Sequence, residues 1–415
     1  MSNNSLLQVN NYSHDAYSPY MVNGQTKFLY RNSAELYDHS ANVKGFHDSI
    51  RVPAQNGLAA VFNGTQTQVD WFPPIQGRLD IWEYFVVELS LVNNDGVNPA
   101  DVLPAQFIVN YIEEMVSGTN FVTHYNHHLM YELLYLCLDD ECIINYQTLG
   151  GFTGGVNGVA YTDNFQIPAG GTAKLYIRFY PLFAREKLYV NNIGSQVMYR
   201  FHFDSTGMIS TSAASSISLT NADMFISGPR FSEDVQRKLT SRARSFPLVS
   251  SYFEPQRAIL SGQALSDVTK SNVKITEFSG MNVSHLVVMV VPQSATKENL
   301  YAPIQLEKIS LLVNGSTVSG FQDSNANWNL LQMFNFYYGV TSPSSNFIYV
   351  ISHSMDPQIS TRTGKPCGTY LYSPNAVLEL QVATGLAGTY DIYCLCYRHD
   401  NIILNPDSTV ERIVV

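Results

Sequence analysis

The sequence is poor in charged residues, and this scarcity already limits what the protein can be. Only 14% of its 415 residues are charged, against roughly 25% in an average soluble protein. Aromatic residues nevertheless reach 12% and apolar residues 45%. Disordered chains show the opposite balance, with high charge and few aromatics, so an intrinsically disordered protein is excluded. The length predicts two large domains, each with its own hydrophobic core.

Basic residues and long hydrophobic runs are also lacking. The chain has 24 Lys and Arg against 34 Asp and Glu, a net charge of −10. Binding to a phosphate backbone needs clustered Lys and Arg, so we expect no direct binding of nucleic acid. The longest apolar run, residues 286–291, is strand-length and far shorter than the ~18 residues of a membrane span.

Cysteines are few and odd in number, which argues against a disulfide framework. The N-terminal sequence lacks the basic start and apolar run of a secretory signal, so we expect folding inside a cell with reduced thiols. Two of the thiols lie two apart on one face of a predicted strand, where core packing is the expected role. The five are Cys137, Cys142, Cys367, Cys394 and Cys396.

Short strands with alternating apolar residues fill both halves of the chain. Phe85, Val87 and Leu89 alternate with polar or smaller neighbours, as in a sheet with one face in a core. Helical signals are few and are limited to 231–239, which begins near Ser232, and to 325–338. Further strands are predicted at 173–179, 197–203, 286–291, 306–313, 347–351, 377–382 and 390–397.

Two strand-rich blocks of similar size predict an all-β protein made of two consecutive eight-stranded jelly rolls with small linking helices. We expect an N-terminal arm at 1–45 and a first jelly roll at 46–245, with a tower-like loop insertion at about 112–165. A linker at 246–275, rich in Ser, Arg and Pro, would lead to a second jelly roll at 276–415.

Several ionisable residues are candidates for a metal or catalytic site. His124 and His128 would share a face of a helix and could hold zinc with nearby thiols, although the segment also fits a strand and a loop. Asp139 and Asp140 could bind calcium at a subunit contact or take part in hydrolysis. No Cys-x-x-Cys pair is present and acidic runs are usually solvated. We therefore expect no metal, no cofactor and no catalytic residue, and a histidine-rich loop at a subunit contact.

The order and spacing of several motifs over residues 160–405 carry a family resemblance. They include Phe165-Gln-Ile-Pro168, the aromatic strand that ends near Pro181-Leu-Phe183, and the segments 197–203, 285–292 and 390–404. In this order the sequence resembles the double jelly-roll major capsid proteins of tectivirus-like phages, adenovirus-like viruses and large eukaryotic DNA viruses. Residues before 160 match only in style.

The resemblance implies a structural protein and no enzymatic activity. It implies homotrimers that form pseudo-hexagonal capsomers, tile an icosahedral shell and are assembled inside the host cell before residing in the virion. The implied partners are further copies of the chain, neighbouring capsomers, penton and minor capsid proteins, and an internal membrane in those viruses that have one. The many Tyr and Phe residues also suit large protein–protein contacts.

A β-sandwich carbohydrate-binding or host-attachment protein is the alternative. In that case Trp71, Trp82 and the Tyr-rich loops would form stacking platforms for sugar rings. The pair of similar β blocks and the lack of a secretory signal favour the capsid interpretation. A β-rich hydrolase is a third option, but the sequence offers it no convincing pair of acids or nucleophile.

Overall fold

The structure of the protein is a computed structural model. It describes residues 45–55, 68–75, 78–102, 105–125, 165–179, 181–185, 188–203, 217–245, 247–293, 303–318, 349–353 and 368–414. The N-terminal arm predicted at 1–45 therefore lies, except for its last residue, outside the described residues.

Strands dominate both halves of the described chain. Those of the first half are β1 (Gly45–Pro53), β2 (Gln68–Trp71), β3 (Tyr84–Asn93), β4 (Ala100–Val102), β5 (Val109–Val116), β6 (Thr119–Tyr125), β7 (Phe165–Ile167), β8 (Thr172–Phe179), β9 (Val197–Phe203) and β10 (Ile217–Phe231). Those of the second half are β11 (Leu248–Leu265), β12 (Ser271–Lys274), β13 (Asn282–Pro292), β14 (Leu306–Val313), β15 (Ser316–Thr317), β16 (Tyr349–Ser352), β17 (Tyr370–Leu371), β18 (Val377–Val382), β19 (Gly388–Leu404) and β20 (Val410–Val414).

Helices are short and sit between strands. They are α1 (Ala105–Ile108), α2 (Leu182–Arg185), α3 (Glu233–Ala243) and two 3-10 turns at Val190–Asn192 and Thr276–Phe278. Helix α3 follows Ser232, whose carbonyl accepts a hydrogen bond from the Gln236 amide at 2.9 Å, so the helix predicted at 231–239 is confirmed. The helix predicted at 325–338 lies outside the described residues. Among the described helices, none combines the length and apolar character needed to cross a membrane.

Four main sheets pair into two sandwiches, and every strand pair in them is antiparallel. In the first sandwich, sheet I has the order β1-β10-β3-β8 and sheet II the order β2-β9-β5-β6. In the second, sheet III has the order β11-β19-β13-β16, extended by β17 and β20, and sheet IV the order β12-β18-β14-β15. Strands β4 and β7 form a separate ribbon.

Aromatic rings fill the core of the first sandwich. The Phe85 ring of sheet I lies 5.3 Å from the Tyr199 ring of sheet II, edge to face. Phe179 and Phe201 repeat this contact between the sheets at 5.3 Å. Edge-to-face pairs at such distances are favourable beyond the area they bury, so the rings fix how the two sheets face each other.

Aliphatic side chains and thiols, together with buried tyrosines such as Tyr349 and Tyr372, fill the core of the second sandwich. All residues from 286 to 291 are buried, which confirms the strand predicted to be covered on both faces. Cys394 and Cys396 are also fully buried, as expected of core residues. Within this core the Leu306 amide of sheet IV donates to the hydroxyl of the buried Tyr349 of sheet III at 2.7 Å.

The predicted linker and tower both need correction. Residues 248–265 of the linker form β11, which pairs with β19 along most of its length and is an integral strand of sheet III. Residues 112–125 of the tower belong to the β5–β6 hairpin of sheet II, which turns at Ser117 and Gly118 with positive φ angles. The sequence of β11 contains Ser, Gln and Arg residues, because one of its faces is only partly covered. This polar composition resembles that of a linker, so the strand was not predicted. Residues 126–164 lie outside the described part of the chain.

Candidate functional site

The two sandwiches are joined by direct contacts, which we call the seam. The Arg412 guanidinium on β20 donates to the Phe121 carbonyl on β6 at 2.7 Å. The Gly194 amide donates to the Ser408 carbonyl at 2.8 Å. The seam residues are Phe121, Tyr125 and Gly194 in the first sandwich and Arg257, Ser408 and Arg412 in the second.

A cation–π contact completes the seam beside these hydrogen bonds. The Arg257 guanidinium of β11 lies 4.3 Å from the centre of the Tyr125 ring of β6. Contacts of this kind contribute about 0.5–2 kcal/mol, depending on how far they are desolvated. Two elements of the first sandwich, β6 and the loop at Gly194, meet three of the second, β11, β20 and the turn between β19 and β20. Contacts at several separate points set both the spacing and the orientation of the sandwiches.

Close approach at the seam also restricts one backbone position. A Cβ atom placed on Gly194 would lie 3.0 Å from the Ser408 Cβ and 3.2 Å from the Ser408 carbonyl oxygen. Ser408 itself has a φ of 69°, in the left-handed region that non-glycine residues seldom adopt. The turn between β19 and β20 is thus shaped to sit directly against the first sandwich.

Buried charges lie behind the Arg412 side chain. Its Nη2 is 2.7 Å from Asp400 Oδ2 and 3.2 Å from Glu254 Oε1, and Arg398 Nη2 is 3.0 Å from the same Asp400 oxygen. Asp400 is fully buried and Glu254 nearly so. Burial raises the pKa of Glu254 to about 8, while the Arg412 charge opposes that rise.

This charged cluster is incompletely satisfied. Glu254 Oε2, Asp400 Oδ1 and the Tyr252 hydroxyl are buried and have no hydrogen-bond partner in the described structure. Buried polar atoms without partners cost free energy, of the order of 1–3 kcal/mol each. The second sandwich therefore carries an electrostatic weak point next to its contact with the first.

The outward face of sheet I exposes two aromatic side chains with a valine between them, a set we call the outer patch (Tyr84, Val86 and Phe225). Tyr84 is 49% exposed and Phe225 is 36% exposed. Phe225 of β10 pairs in register with Val86 of β3, and Tyr84 lies diagonally beside it. Large exposed apolar groups that lie together mark interaction surfaces more often than isolated ones do.

Ion pairs border the outer patch. Arg51 Nη2 lies 2.6 Å from Asp223 Oδ2 on one side. On the other side, Lys174 Nζ lies 2.9 Å from Glu88 Oε1, and the Tyr176 hydroxyl donates to Glu88 Oε2 at 2.8 Å. An apolar centre with a polar margin is the usual composition of a protein–protein interface.

His124, the histidine considered as a weak zinc candidate, lies in the interior of the first sandwich. His124 lies in strand β6 rather than in a helix, so the shared helix face with His128 is wrong. Its side chain is buried, and Nε2 lies 3.4 Å from Glu114 Oε2. Glu114 also accepts hydrogen bonds from the Leu182 amide at 2.7 Å and the Tyr199 hydroxyl at 3.2 Å. We interpret this cluster as a buried link between strands β5, β6 and β9 and helix α2.

The remaining candidate site residues are either outside the described structure or buried in a core. His128, Asp139 and Asp140 lie outside the described residues. Within the part of the chain that the structure describes, there is no group of three potential metal ligands. Burial raises the pKa of the Cys394 and Cys396 thiols well above their usual value, so both are protonated packing residues at neutral pH.

The tryptophans that the carbohydrate-binding alternative would use as stacking platforms are not exposed. Trp71 and Trp82 are both fully buried. The Trp71 ring packs at 4.8 Å from Phe201, and the Trp82 ring packs at 5.8 Å from Phe85. Neither ring can stack on a ligand, because each is part of the first core.

The sequence contains no recognisable signal for the seam. Arg412 and Phe121 are 291 residues apart, and the acceptor is a backbone carbonyl that any residue would supply. Only the alternation of apolar and polar residues in β19 and β20 indicates that the C-terminal segment is paired and partly buried. Contacts at this sequence separation depend on the complete topology.

Comparisons with known proteins give structural matches alone. No family model matches the chain, and no curated protein matches it in sequence. Among solved structures, the PBCV-1 virus capsid model matches with a TM-score of 0.65 and 14% identity, covering 90% of this chain and 98% of that one. The Faustovirus major capsid protein matches with a TM-score of 0.58 and 9% identity, covering 88% and 91%.

The mavirus major capsid protein gives a third match, with a TM-score of 0.51 and 10% identity, and covers 88% of this chain and 90% of its own. At these identities the likeness concerns the fold. It extends over both sandwiches and nearly the full length of each compared protein. The chain therefore has the all-β double jelly-roll fold predicted from its sequence, with sheets I and II as the first jelly roll and sheets III and IV as the second.

Proposed function

We propose that the protein is a viral major capsid protein that assembles as a homotrimer and tiles an icosahedral shell. The observation that carries this proposal is the match to capsid proteins over 90% of this chain and 98% of the PBCV-1 protein. Such coverage includes both jelly rolls in the same order. A carbohydrate-binding module would need only a single β-sandwich, so the alternative does not account for the second one. In this proposal the protein resides in the virion capsid. Penton and minor capsid proteins are its further partners.

The seam supports this role physically. A trimer of double jelly rolls presents six similar units only if the two units within a chain keep a fixed spacing. Hydrogen bonds from Arg412 and Gly194 and the ring contact of Arg257 provide that constraint within one chain. A rigid two-unit block also reduces the entropy lost when copies associate.

The outer patch supports self-association. Tyr and Phe side chains bury a large area at small entropic cost, and they are enriched at interface cores. We propose that a neighbouring copy of the chain covers Tyr84 and Phe225 in the assembled capsomer. The Arg51–Asp223 and Glu88–Lys174 pairs at its border would then fix the relative orientation of the copies.

The native mass of the purified full chain, measured by light scattering on a sizing column, tests the proposal. The expected result is a stable species of three chain masses, and electron microscopy at higher concentration should show hexagonal arrays. A protein that stays monomeric over a hundredfold range of concentration would contradict the capsid role.

A double variant tests the outer patch separately. Tyr84→Ser with Phe225→Ser should shift the trimer toward monomer at a given concentration while leaving the circular dichroism spectrum unchanged. The matched control is Val268→Ser, which removes a hydrophobic side chain that is 80% exposed in the second jelly roll. An unchanged trimer in the double variant would show that the interface lies elsewhere.

A further inference from the structure

A polar cleft lies beside helix α3, between the helix and the end of strand β10. Its volume is about 950 Å³, within the range of small-molecule sites. Its basic lining consists of three arginines, Arg230 from β10 and Arg237 and Arg244 from or just after α3, and Glu233 is its one acidic residue. The other lining residues are Tyr189, Asn191, Gln236, Thr240, Ser241 and Ser245.

The charge in this cleft opposes that of the whole chain. The lining residues carry three arginines against one glutamate, and the Asp80 carboxylate lies beneath them, so the cleft still has more positive than negative groups in a protein whose net charge is −10. Glu233 pairs with Arg237 at 3.4 Å, and Arg230 lies over the Phe46 ring at 5.7 Å. The Arg244 backbone amide donates to the Thr240 carbonyl at 3.0 Å, but its guanidinium has no hydrogen bond or ion pair with another described residue. Its five side-chain donors can therefore turn to a ligand.

The floor of the cleft is held rigid by a buried carboxylate. Asp80 accepts hydrogen bonds from the Phe231 amide at 2.5 Å and from the Gln236 side-chain amide at 3.1 Å. Asn191 donates to the other oxygen of the same carboxylate. Tyr189 lies alongside, with its hydroxyl 3.1 Å from Thr240 Oγ1. Because these contacts anchor both walls, the cleft does not depend on mobile side chains for its shape.

The spacing of the basic groups suits an extended anion. Arg237 and Arg244 are seven residues apart, which places them on the same side of the helix and about 10 Å apart along its axis. Arginine binds phosphate oxygens through two parallel N–H donors, and the hydroxyls of Thr240 and Ser241 can donate to further oxygens. We propose that this cleft binds a phosphate-bearing anion long enough to contact both arginines, such as a polyphosphate chain.

Calorimetric titration of the full chain with inorganic tripolyphosphate tests the site, with inorganic phosphate as the short comparison ligand. We expect one tripolyphosphate per chain and binding at least about tenfold tighter than that of phosphate, because only the longer anion reaches both arginines. Equal affinity for the two anions, or no binding of tripolyphosphate, would overturn the proposal.

Variants locate the binding. The double variant Arg237→Gln and Arg244→Gln should weaken tripolyphosphate binding by about tenfold or more, since each lost charged hydrogen bond costs roughly that factor. The paired control, Lys270→Gln with Lys274→Gln, makes the same change in net charge in the second jelly roll and should alter affinity less than twofold. Equal weakening by the two doubles would indicate a general charge effect and would overturn the site. Thermal unfolding must first show that all the proteins are folded.

Discussion

The two jelly rolls share a topology but stabilise their cores by different means. The first brings aromatic rings of both sheets into edge-to-face contact and holds the buried Glu114 cluster. Between the sheets of the second, Val288 and the thiol of Cys394 pack on neighbouring strands beside the buried Tyr349 ring. Rings and carboxylates impose directional contacts, whereas aliphatic groups mainly impose volume. The same arrangement of strands thus tolerates two kinds of interior, and each should respond differently to mutation.

The largest expected effect comes from removing the Glu114 carboxylate. In Glu114→Ala, buried donors at Leu182, Phe183 and Tyr199 lose their acceptor. We expect a loss of about 3–5 kcal/mol in the free energy of unfolding. Urea denaturation followed by near-ultraviolet circular dichroism would measure it.

Val288→Ala is the matched change in the aliphatic core of the second jelly roll. Its expected loss is about 2 kcal/mol, from the removal of two buried methyl groups. If Glu114→Ala proves no more destabilising than Val288→Ala, the distinction between a directional and a volume-filled core fails.

A variant that disrupts the seam tests whether the two jelly rolls unfold together. Arg412→Met keeps most of the apolar stem but removes the charge beside Asp400 and the bond to the Phe121 carbonyl. Breaking a buried ion pair on one side costs about 3 kcal/mol or more. Calorimetry should then show two separated unfolding transitions in place of a joint one.

Arg237→Met serves as the control for the seam variant. Its ion pair with Glu233 is exposed, with side-chain exposures of 75% and 86%, so little stability is lost. Two separated transitions already present in the unmodified protein would show that the seam does not couple the jelly rolls.

Substitution of Gly228 in the first jelly roll should have a smaller effect on stability, and it tests how closely the backbone packs there. A Cβ on Gly228 of β10 would lie 2.0 Å from the Ile81 carbonyl oxygen. Gly228→Ala should therefore displace the backbone at Ile81, and we expect it to lower the free energy of unfolding by about 1–3 kcal/mol. Gly96→Ala is the control, since nothing lies within 4 Å of the added carbon. Equal melting temperatures for the two variants would contradict the close approach.

The sequence predicted the fold well and the candidate sites poorly, for one physical reason. Alternation along Phe85, Val87 and Leu89 depends on neighbours within one strand, so local pattern reveals it. Strand β11 was missed because its partner and its covering lie far away in sequence. The buried positions of His124, Trp71 and Trp82 likewise depend on which sheet faces them, and residue type alone left open ligand-binding roles that burial excludes.

The last comparison concerns pH, where the expected change is small per pH unit. It asks whether the electrostatic weak point around Glu254 belongs to the second jelly roll alone. Burial raises the pKa of Glu254 from 4.5 to about 8, so between these values the folded protein binds more protons than the unfolded chain. Stability from this group is therefore complete below pH 4.5 and falls as pH rises toward 8, by at most about 1.4 kcal/mol per pH unit.

Glu254→Gln stays neutral in both states and should flatten this slope, whereas Glu113→Gln, a partly buried change in sheet II of the first jelly roll, should leave it in place. Urea midpoints measured from pH 5 to 8 would show the difference. An identical slope in the unmodified protein and in Glu254→Gln would mean that Glu254 stays ionised beside Arg412, and that the Arg412 charge outweighs the cost of burial.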